Sequence, residues 1–531
     1  MKGLLIASSI GLGLASGSAF AADIPVTAAP GVGASAPPPL VYTWTACYIN
    51  GGAGYGMRKQ DHYGEELAPL TQLTPTVSTG GESWVGTVGA GCDYQVGSRW
   101  LIGAFGDYNL VSLIYGGSFQ EPYWGWVGNE TEQGAWVVGG RIGYLVTPKL
   151  LTYVNAGYTQ VRFGQINLLS DTVPQVAPAA CGAGPCFIPA HTDGGWFIGG
   201  GTEYAIWDII PVHGLFWRTD YRYARYNSVD LPILTSTGAP VTVTCTGIAA
   251  VACGEHMQKD VQTITTGLVW RFNVDGPPSG SAFAADIPVT AAPGFAASAP
   301  PPLVYTWTGC YINGGAGYGM WEQDHYTNVG PLVTGSTGGE GWLGTVGVGC
   351  DYQAGSRWVI GVLADYDFMN LSGSFQDPFL GYTGNQTESG AWAVGGRIGY
   401  LVTPELLTYI NVGYPQALFD RINLLSATPS SSPTPYFYAA HTYRGHLFGG
   451  GFLFFGAGTE YALGDIVPLK GLFWRTEYRY TMYSPDSLPL LMTTGSSTIA
   501  CPLHTNCSLV MNKDVQTITS GFVWRFNFGG P

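Results

Sequence analysis

The sequence predicts an all-β protein: a transmembrane antiparallel up-and-down β-barrel whose barrel-forming segment occurs twice. Three observations predict it. Charged residues are only 11% of the 531, against about a quarter in a soluble domain, yet no apolar run reaches the roughly 18 residues a spanning helix needs. Glycine and aromatics are abundant, with 79 Gly, 17 Trp, 32 Tyr and 23 Phe, as expected where half of each strand faces lipid and half faces a lumen. Long segments also recur. PPPLVYTWTACYINGGAGYGM at 37–57 returns as PPPLVYTWTGCYINGGAGYGM at 300–320, and KDVQTITTGLVWRFNV at 259–274 returns as KDVQTITSGFVWRFNF at 513–528. Such a long period marks a duplicated domain, not a solenoid.

The N-terminus reads as a secretory signal peptide over 1–21. Lys2 is its basic region, Leu4 to Ala15 its apolar region, and Ala19-Phe20-Ala21 its small-residue site, with cleavage after Ala21. Residues 22–46 are then a periplasmic N-terminal segment. The first barrel occupies 47–275, and the second 307–531. Between them, 276–306 is a Pro/Ala-rich linker without a fold of its own. It holds GSAFAADIPVTAAPG at 280–294, a copy of 17–31.

Each copy divides into eight strand-like segments. In the first they are about 47–57, 82–95, 100–110, 132–145, 150–162, 195–206, 215–226 and 259–274. Each suffices for the roughly 9–11 residues of a membrane strand. Short turns at 96–99, 146–148 and 207–214 alternate with long polar connections at about 58–81, 111–131, 163–194 and 227–258. This asymmetry places the long loops outside and both ends of each copy in the periplasm.

Alternation orients the strands. Leu268, Trp270 and Phe272 share one face, Gly267, Val269 and Arg271 the other. Trp217, Thr219, Tyr221 and Tyr223 oppose Arg218, Asp220 and Arg222. A charge on the lipid face costs roughly 2–4 kcal/mol at mid-depth. The charged set is therefore expected inside, with Arg141, Glu203, Arg218, Asp220, Arg222 and Arg271 forming an interior ion network. The long linker favours two eight-stranded barrels over the alternative, one 16-stranded barrel with an aqueous channel.

Thr265-Thr266-Gly267-Leu268-Val269-Trp270-Arg271-Phe272 resembles the C-terminal assembly signal of outer-membrane barrels. So does Thr519-Ser520-Gly521-Phe522-Val523-Trp524-Arg525-Phe526. Gly267, Trp270, Phe272, Gly521, Trp524 and Phe526 hold its key positions. With the start AADIPV…WTxCYINGGAGYG, each copy resembles the small outer-membrane immunogenic proteins of alphaproteobacteria, in the OmpA-like and opacity-protein superfamily. The resemblance implies an eight-stranded barrel, delivery by the outer-membrane insertion machinery, and exposure to host surface molecules; it does not imply an enzyme. This chain departs from the family in carrying two copies. It also lengthens strand six of the second copy (GHLFGGGFLFFGAGTEY, 445–461) and extends past Phe528 by Gly-Gly-Pro.

Ten cysteines pair plausibly as Cys47–Cys92, Cys181–Cys186, Cys245–Cys253, Cys310–Cys350 and Cys501–Cys507, and export permits disulfides. The spacings lack a paired CxxC metal pattern. Histidines recur at matched loop positions: His62 and His325, His191 and His441, His256 and His504. Haem or metal capture is one reading; solvated loop histidines copied by duplication is the simpler one. Interior Glu203 and Asp220 could be acid–base groups, but nearby arginines favour ion pairing. No hydrolase triad or phosphate loop is present, so neither catalysis nor a cofactor is expected. The net charge of −14 argues against nucleic acid. The expected role is a structural and surface-interaction one, in contact with lipid and lipopolysaccharide. A passive porin is the alternative, and a lipid-modifying enzyme a remoter one.

Overall fold

The computed structural model describes residues 44–526 apart from 112–116, 122–124, 171–177, 182–183, 207–209, 244–250, 273–305, 328–333, 378–381, 427–432, 445–453, 465–466, 468 and 493–507. The expected signal peptide, most of 22–46 and nearly all of the linker lie outside the described residues.

The barrel strands of the first copy are β1 (Ala46–Leu67), β2 (Val77–Val96), β3 (Trp100–Val111), β4 (Glu132–Thr147), β5 (Leu150–Phe163), β6 (His191–Ala205), β7 (Leu215–Tyr226) and β8 (Val251–Phe272). Each pairs antiparallel with its neighbour in sequence. β8 closes the circle on β1, with Cys47 opposite Phe272 and Gly52 opposite Gly267. The second copy runs β9 (Gly309–Thr327), β10 (Thr334–Ala354), β11 (Trp358–Asp377), β12 (Tyr382–Thr403), β13 (Leu406–Phe419), β14 (His441–Arg444), β15 (Phe454–Ala462), β16 (Leu472–Met482) and β17 (Ser508–Phe526). There β17 closes on β9. Each copy thus pairs its own last strand with its own first, making two eight-stranded barrels rather than one of 16.

β14 and β15 together form the sixth stave of the second barrel, and both pair with β13. The lengthened segment falls between them, at 445–453, outside the described residues. The ladder resumes with Phe454 opposite Gly413 and sets Glu460 opposite Leu407. Glu203 stands opposite Leu151 in the same way, so the insertion leaves the inward register of this stave intact.

The faces follow the alternation. On β4, Ala135, Val137 and Arg141 are buried inside, while Trp136, Val138 and Ile142 are exposed outside. From Trp136 to Tyr144 the strand rises about 27 Å, or about 20 Å along the membrane normal at the usual ~40° tilt. That matches an apolar band. Trp136 packs on Tyr158 near its outer edge, and Trp100 on Tyr144 near the periplasmic edge.

The long connections are not polar loops. β1 and β8 each contain 22 residues, roughly twice what a membrane crossing needs. They continue past Met57 and Gln262 as a paired ribbon. Short strands at Gly117–Glu121, Trp126–Glu130, Ile166–Ser170 and Cys186–Ile188 pair into a small sheet. Its apolar core gathers Phe119, Trp126, Ile166, Leu168, Ile188 and Met257. In the second copy Phe375, Ile422, Leu424, Tyr438 and Leu488 join a matching core. Each barrel therefore carries a folded extracellular cap with its own buried apolar side chains.

Candidate functional site: the filled lumen and its cap

The lumen of the first barrel is occupied in tiers. The lowest lies near the periplasmic end and is built by inward residues of β2, β4, β6, β7 and β8. Arg141 donates through Nε to Asp93 at 2.9 Å and through Nη1 to Glu203 at 2.6 Å. Arg271 closes the ring, reaching Asp93 at 2.7 Å and Glu203 at 2.6 Å. Arg218 adds a third cation on Glu203, its Nε donating at 2.8 Å. The three guanidiniums also surround the Tyr48 ring at 4.6–5.1 Å. Trp44 seals this end. It lies ahead of β1, donates its indole N–H to the Pro148 carbonyl at 3.0 Å, and packs between Phe216 and the Arg271 guanidinium. A buried ion ring of this kind is tolerable only because each charge is paired and hydrogen-bonded.

A second tier lies above it. Arg222 bridges Asp107 at 2.5 Å and Asp220 at 2.6 Å. Asp220 also accepts from the Tyr153 hydroxyl at 3.0 Å and from Asn155 at 2.9 Å. A third tier stands at the mouth, where Lys259 meets Asp193 at 3.0 Å and Glu130 at 3.4 Å, and Arg58 meets Glu130 at 3.0 Å.

All six residues expected in the interior network are thus buried or half-buried in the lumen, divided between two tiers. Their partners Asp93 and Asp107 were not anticipated. Both lie on inward alternate positions of β2 and β3, where the same period-two signal marks them.

The second barrel repeats the lowest tier with Asp351, Arg397, Glu460, Arg475 and Arg525 around Tyr311, and Trp307 takes the place of Trp44. Its mouth differs. Trp321 replaces Arg58 and Tyr443 replaces Asp193, so Lys513 lies among the rings of Phe419 at 3.8 Å, Trp321 at 4.6 Å and Tyr443 at 5.0 Å, and among the described residues its amine makes no hydrogen bond.

Cys47 and Cys92 are directly opposed on β1 and β2 and form a disulfide, as do Cys310 and Cys350 on β9 and β10. Cys181 and Cys186 staple the cap. Cys253 is disulfide-bonded, while Cys245, Cys501 and Cys507 lie outside the described residues. In the assembly-signal strands, Leu268, Trp270 and Phe272 face outward, as do Phe522, Trp524 and Phe526. Gly267 is obligatory for a different reason: a Cβ there would stand 2.4 Å from the Cα of Gly52, where β8 meets β1. Gly521 meets Gly315 in the same way at 2.5 Å.

Two of the histidines correct the expectation of solvated loops. His62 and His325 are fully buried, because the strands carry them above the membrane into the cap. His62 packs on Phe119 and lies 3.5 Å from Glu255. Burial draws its imidazole down to about 4, so the ring is neutral near pH 7, and pushes the Glu255 carboxyl well up. His191 contacts Lys259 at 2.9 Å, and His441 contacts Asp486 at 2.8 Å. His504 lies outside the described residues. On the cap the half-buried His256 and the exposed Asp230 adjoin the buried Glu65, and their ligand atoms lie within 4.8 Å of one another. His256 also stacks on Tyr63.

A family model described as an outer membrane protein beta-barrel domain matches residues 26–272 and again 288–526. Two curated relatives, the 31 kDa outer-membrane immunogenic proteins of Brucella melitensis biotype 1 and Brucella suis biovar 1, are 29% identical over 244 residues. The match spans 44% of this chain and 94% of each relative. Among solved structures, the TodX monoaromatic hydrocarbon channel deltaS2 mutant matches at 10% identity and a TM-score of 0.26, covering 93% of both chains. The outer membrane protein OprG of Pseudomonas aeruginosa matches at 10% and 0.26, over 43% of this chain and 97% of that one. Ail, the attachment invasion locus protein of Yersinia pestis, matches at 13% and 0.20, over 41% and 99%. Likeness at such scores supports nothing further.

Proposed function

The chain belongs to the outer membrane protein β-barrel domain family, once in each copy, and from that premise we propose a structural and surface-interaction role, in which two membrane anchors present two folded caps outside the cell. Its place is the Gram-negative outer membrane. The observation that carries this reading is the filled lumen: charged tiers and Trp44 occupy the first barrel from the periplasmic end to the mouth. An eight-stranded barrel packed in this way is a solid anchor, unlike the wider barrels that hold a channel. The bands of exposed apolar side chains meet lipid, and the caps are the surfaces available to lipopolysaccharide and host molecules. An immunogenic, adhesion-like part follows the likeness to the Brucella relatives, whose names call them immunogenic. Delivery by the outer-membrane insertion machinery follows from the C-terminal strands. The filled lumen weighs against a passive porin.

The test is single-channel recording on the intact protein in planar bilayers. No stable conductance is expected. A large, stable conductance would replace this reading with the porin. In parallel, cells displaying the chain should lose surface binding when both caps are shortened to turns while the barrels still insert.

A further inference from the structure

The two barrels touch, and they do so through matched positions. Tyr55 of β1 and Tyr318 of β9 are duplicates of one another, as are Tyr223 of β7 and Tyr480 of β16. Tyr55 packs edge-on against Tyr480 with ring centroids 5.3 Å apart, and Tyr318 packs edge-on against Tyr223 at 5.5 Å. Higher up, Ser78 and Ser336 are duplicates, and so are Ser118 and Ser374. The Ser78 amide donates to the Ser374 hydroxyl, and the Ser336 amide donates to the Ser118 hydroxyl at 2.6 Å. Between these pairs the backbones meet at Gly80 and Gly338, again duplicates. A Cβ on Gly338 would lie 3.2 Å from the Cα of Gly80, and one on Gly80 only 2.7 Å from the Thr337 carbonyl oxygen. Each of these contacts has its exchanged twin, which is the signature of an isologous interface. The contact is confined to the outer half of the barrels. Nearer the periplasm on the same strands, Ile49 and Ile312 remain 48% and 46% exposed.

One position breaks the twofold. Lys59 of β1 corresponds to Glu322 of β9. Lys59 lies 3.5 Å from Glu340 of the second barrel. In the exchanged place Glu322 lies near Glu82, which itself accepts from the Tyr480 hydroxyl at 3.3 Å. One half of the interface has an ion pair, and the other has two acids.

We infer that the tandem barrels form a fixed pair in the outer half of the membrane, each copy being the other's partner across a pseudo-twofold face. The tether raises their effective concentration, so pairing within the chain outcompetes pairing between chains. The second copy is a poor partner for itself, because such a pair would set Glu322 against Glu340 twice. The outer aromatic girdle is then interrupted where the barrels meet, and the caps form one joint surface.

The test uses the full chain with a protease site inserted in the linker and the photoreactive p-benzoylphenylalanine at Tyr480. After irradiation and linker cleavage, the two halves should remain joined in one band, and the same probe at lipid-facing Val362 should release them. Without crosslinking, Glu322→Lys should raise the fraction of halves that co-purify from mild detergent, and Lys59→Glu should lower it. Halves that separate under both probes overturn the inference, as does crosslinking only between chains. Resistance of each barrel to protease confirms folding in every variant.

Discussion

Arg271 on β8 and Glu203 on β6 face each other across the first lumen with Nη2 and Oε2 2.6 Å apart, and neither side chain is more than 1% exposed. Glu203 also serves Arg141 and Arg218. Removing it leaves Arg141 and Arg271 sharing Asp93 and takes from Arg218 its acid. Loss of one partner from a buried pair costs about 3–5 kcal/mol, so Glu203→Gln should destabilise the first barrel by at least that order. Because each copy closes on itself, the loss should be confined to one barrel. Denaturant unfolding followed copy by copy, with proteolysis fragments as the readout, should show the first barrel weakened by Glu203→Gln and the second by Glu460→Gln. Equal weakening of both barrels by either substitution would contradict independent closure.

The mouths of the two barrels predict opposite responses to one change. Lys259 neutralises Asp193 and Glu130, which are 2% and 1% exposed. Lys259→Met takes the buried ammonium from Asp193 and leaves Glu130 to Arg58, at a cost of about 3–5 kcal/mol. Lys513 occupies the duplicate position among three aromatic rings, and burial pushes nearby Glu388 up to about 8, so that acid is largely neutral at pH 7. Lys513→Met exchanges cation–π contacts worth about 2 kcal/mol for relief of a buried charge. It should change stability by no more than about 1 kcal/mol. The same proteolysis readout decides, and a Lys513→Met loss as large as that of Lys259→Met would refute the distinction.

How much of this was legible before the structure depends on where period-two alternation survives. Within the membrane, lipid and lumen impose opposite chemistries on alternate residues, so Trp217 against Arg218 and Trp270 against Arg271 could be oriented from sequence. The same rule applied to β2 and β3 would have found Asp93 and Asp107. Above the membrane both faces of the ribbon are polar or capped, and the alternation dissolves. His62 therefore reads as a solvated loop residue although it is buried under Phe119. Trp44 is invisible for another reason: it precedes the first strand, and only closure of the barrel brings it beneath Arg271 and beside Phe216. The contact between barrels is equally hidden, since Tyr55 and Tyr480 read as ordinary girdle tyrosines until the two copies are placed side by side.

The first cap should respond to pH through Glu65. The residue is 2% exposed and its carboxyl lies beside Asp230. Burial, reinforced by the Asp230 charge, raises it from 4.5 to about 7. A carboxyl raised on folding favours the folded state while it is protonated. That contribution is complete below about pH 4.5 and is lost as pH climbs through about 7. The ribbon at 63–66 and 254–257 should therefore open more readily at pH 8 than at pH 5, without change in the membrane portion of β1. Amide hydrogen exchange on the reconstituted protein measures this directly: protection of these amides should fall across that window, and Glu65→Gln should flatten the dependence. Unchanged pH dependence in Glu65→Gln would assign the effect to another group. The second copy provides an internal control, because Asn328 stands where the first has Glu65 and Val510 where it has His256. The matching amides of β17, around 508–511, should show no such loss.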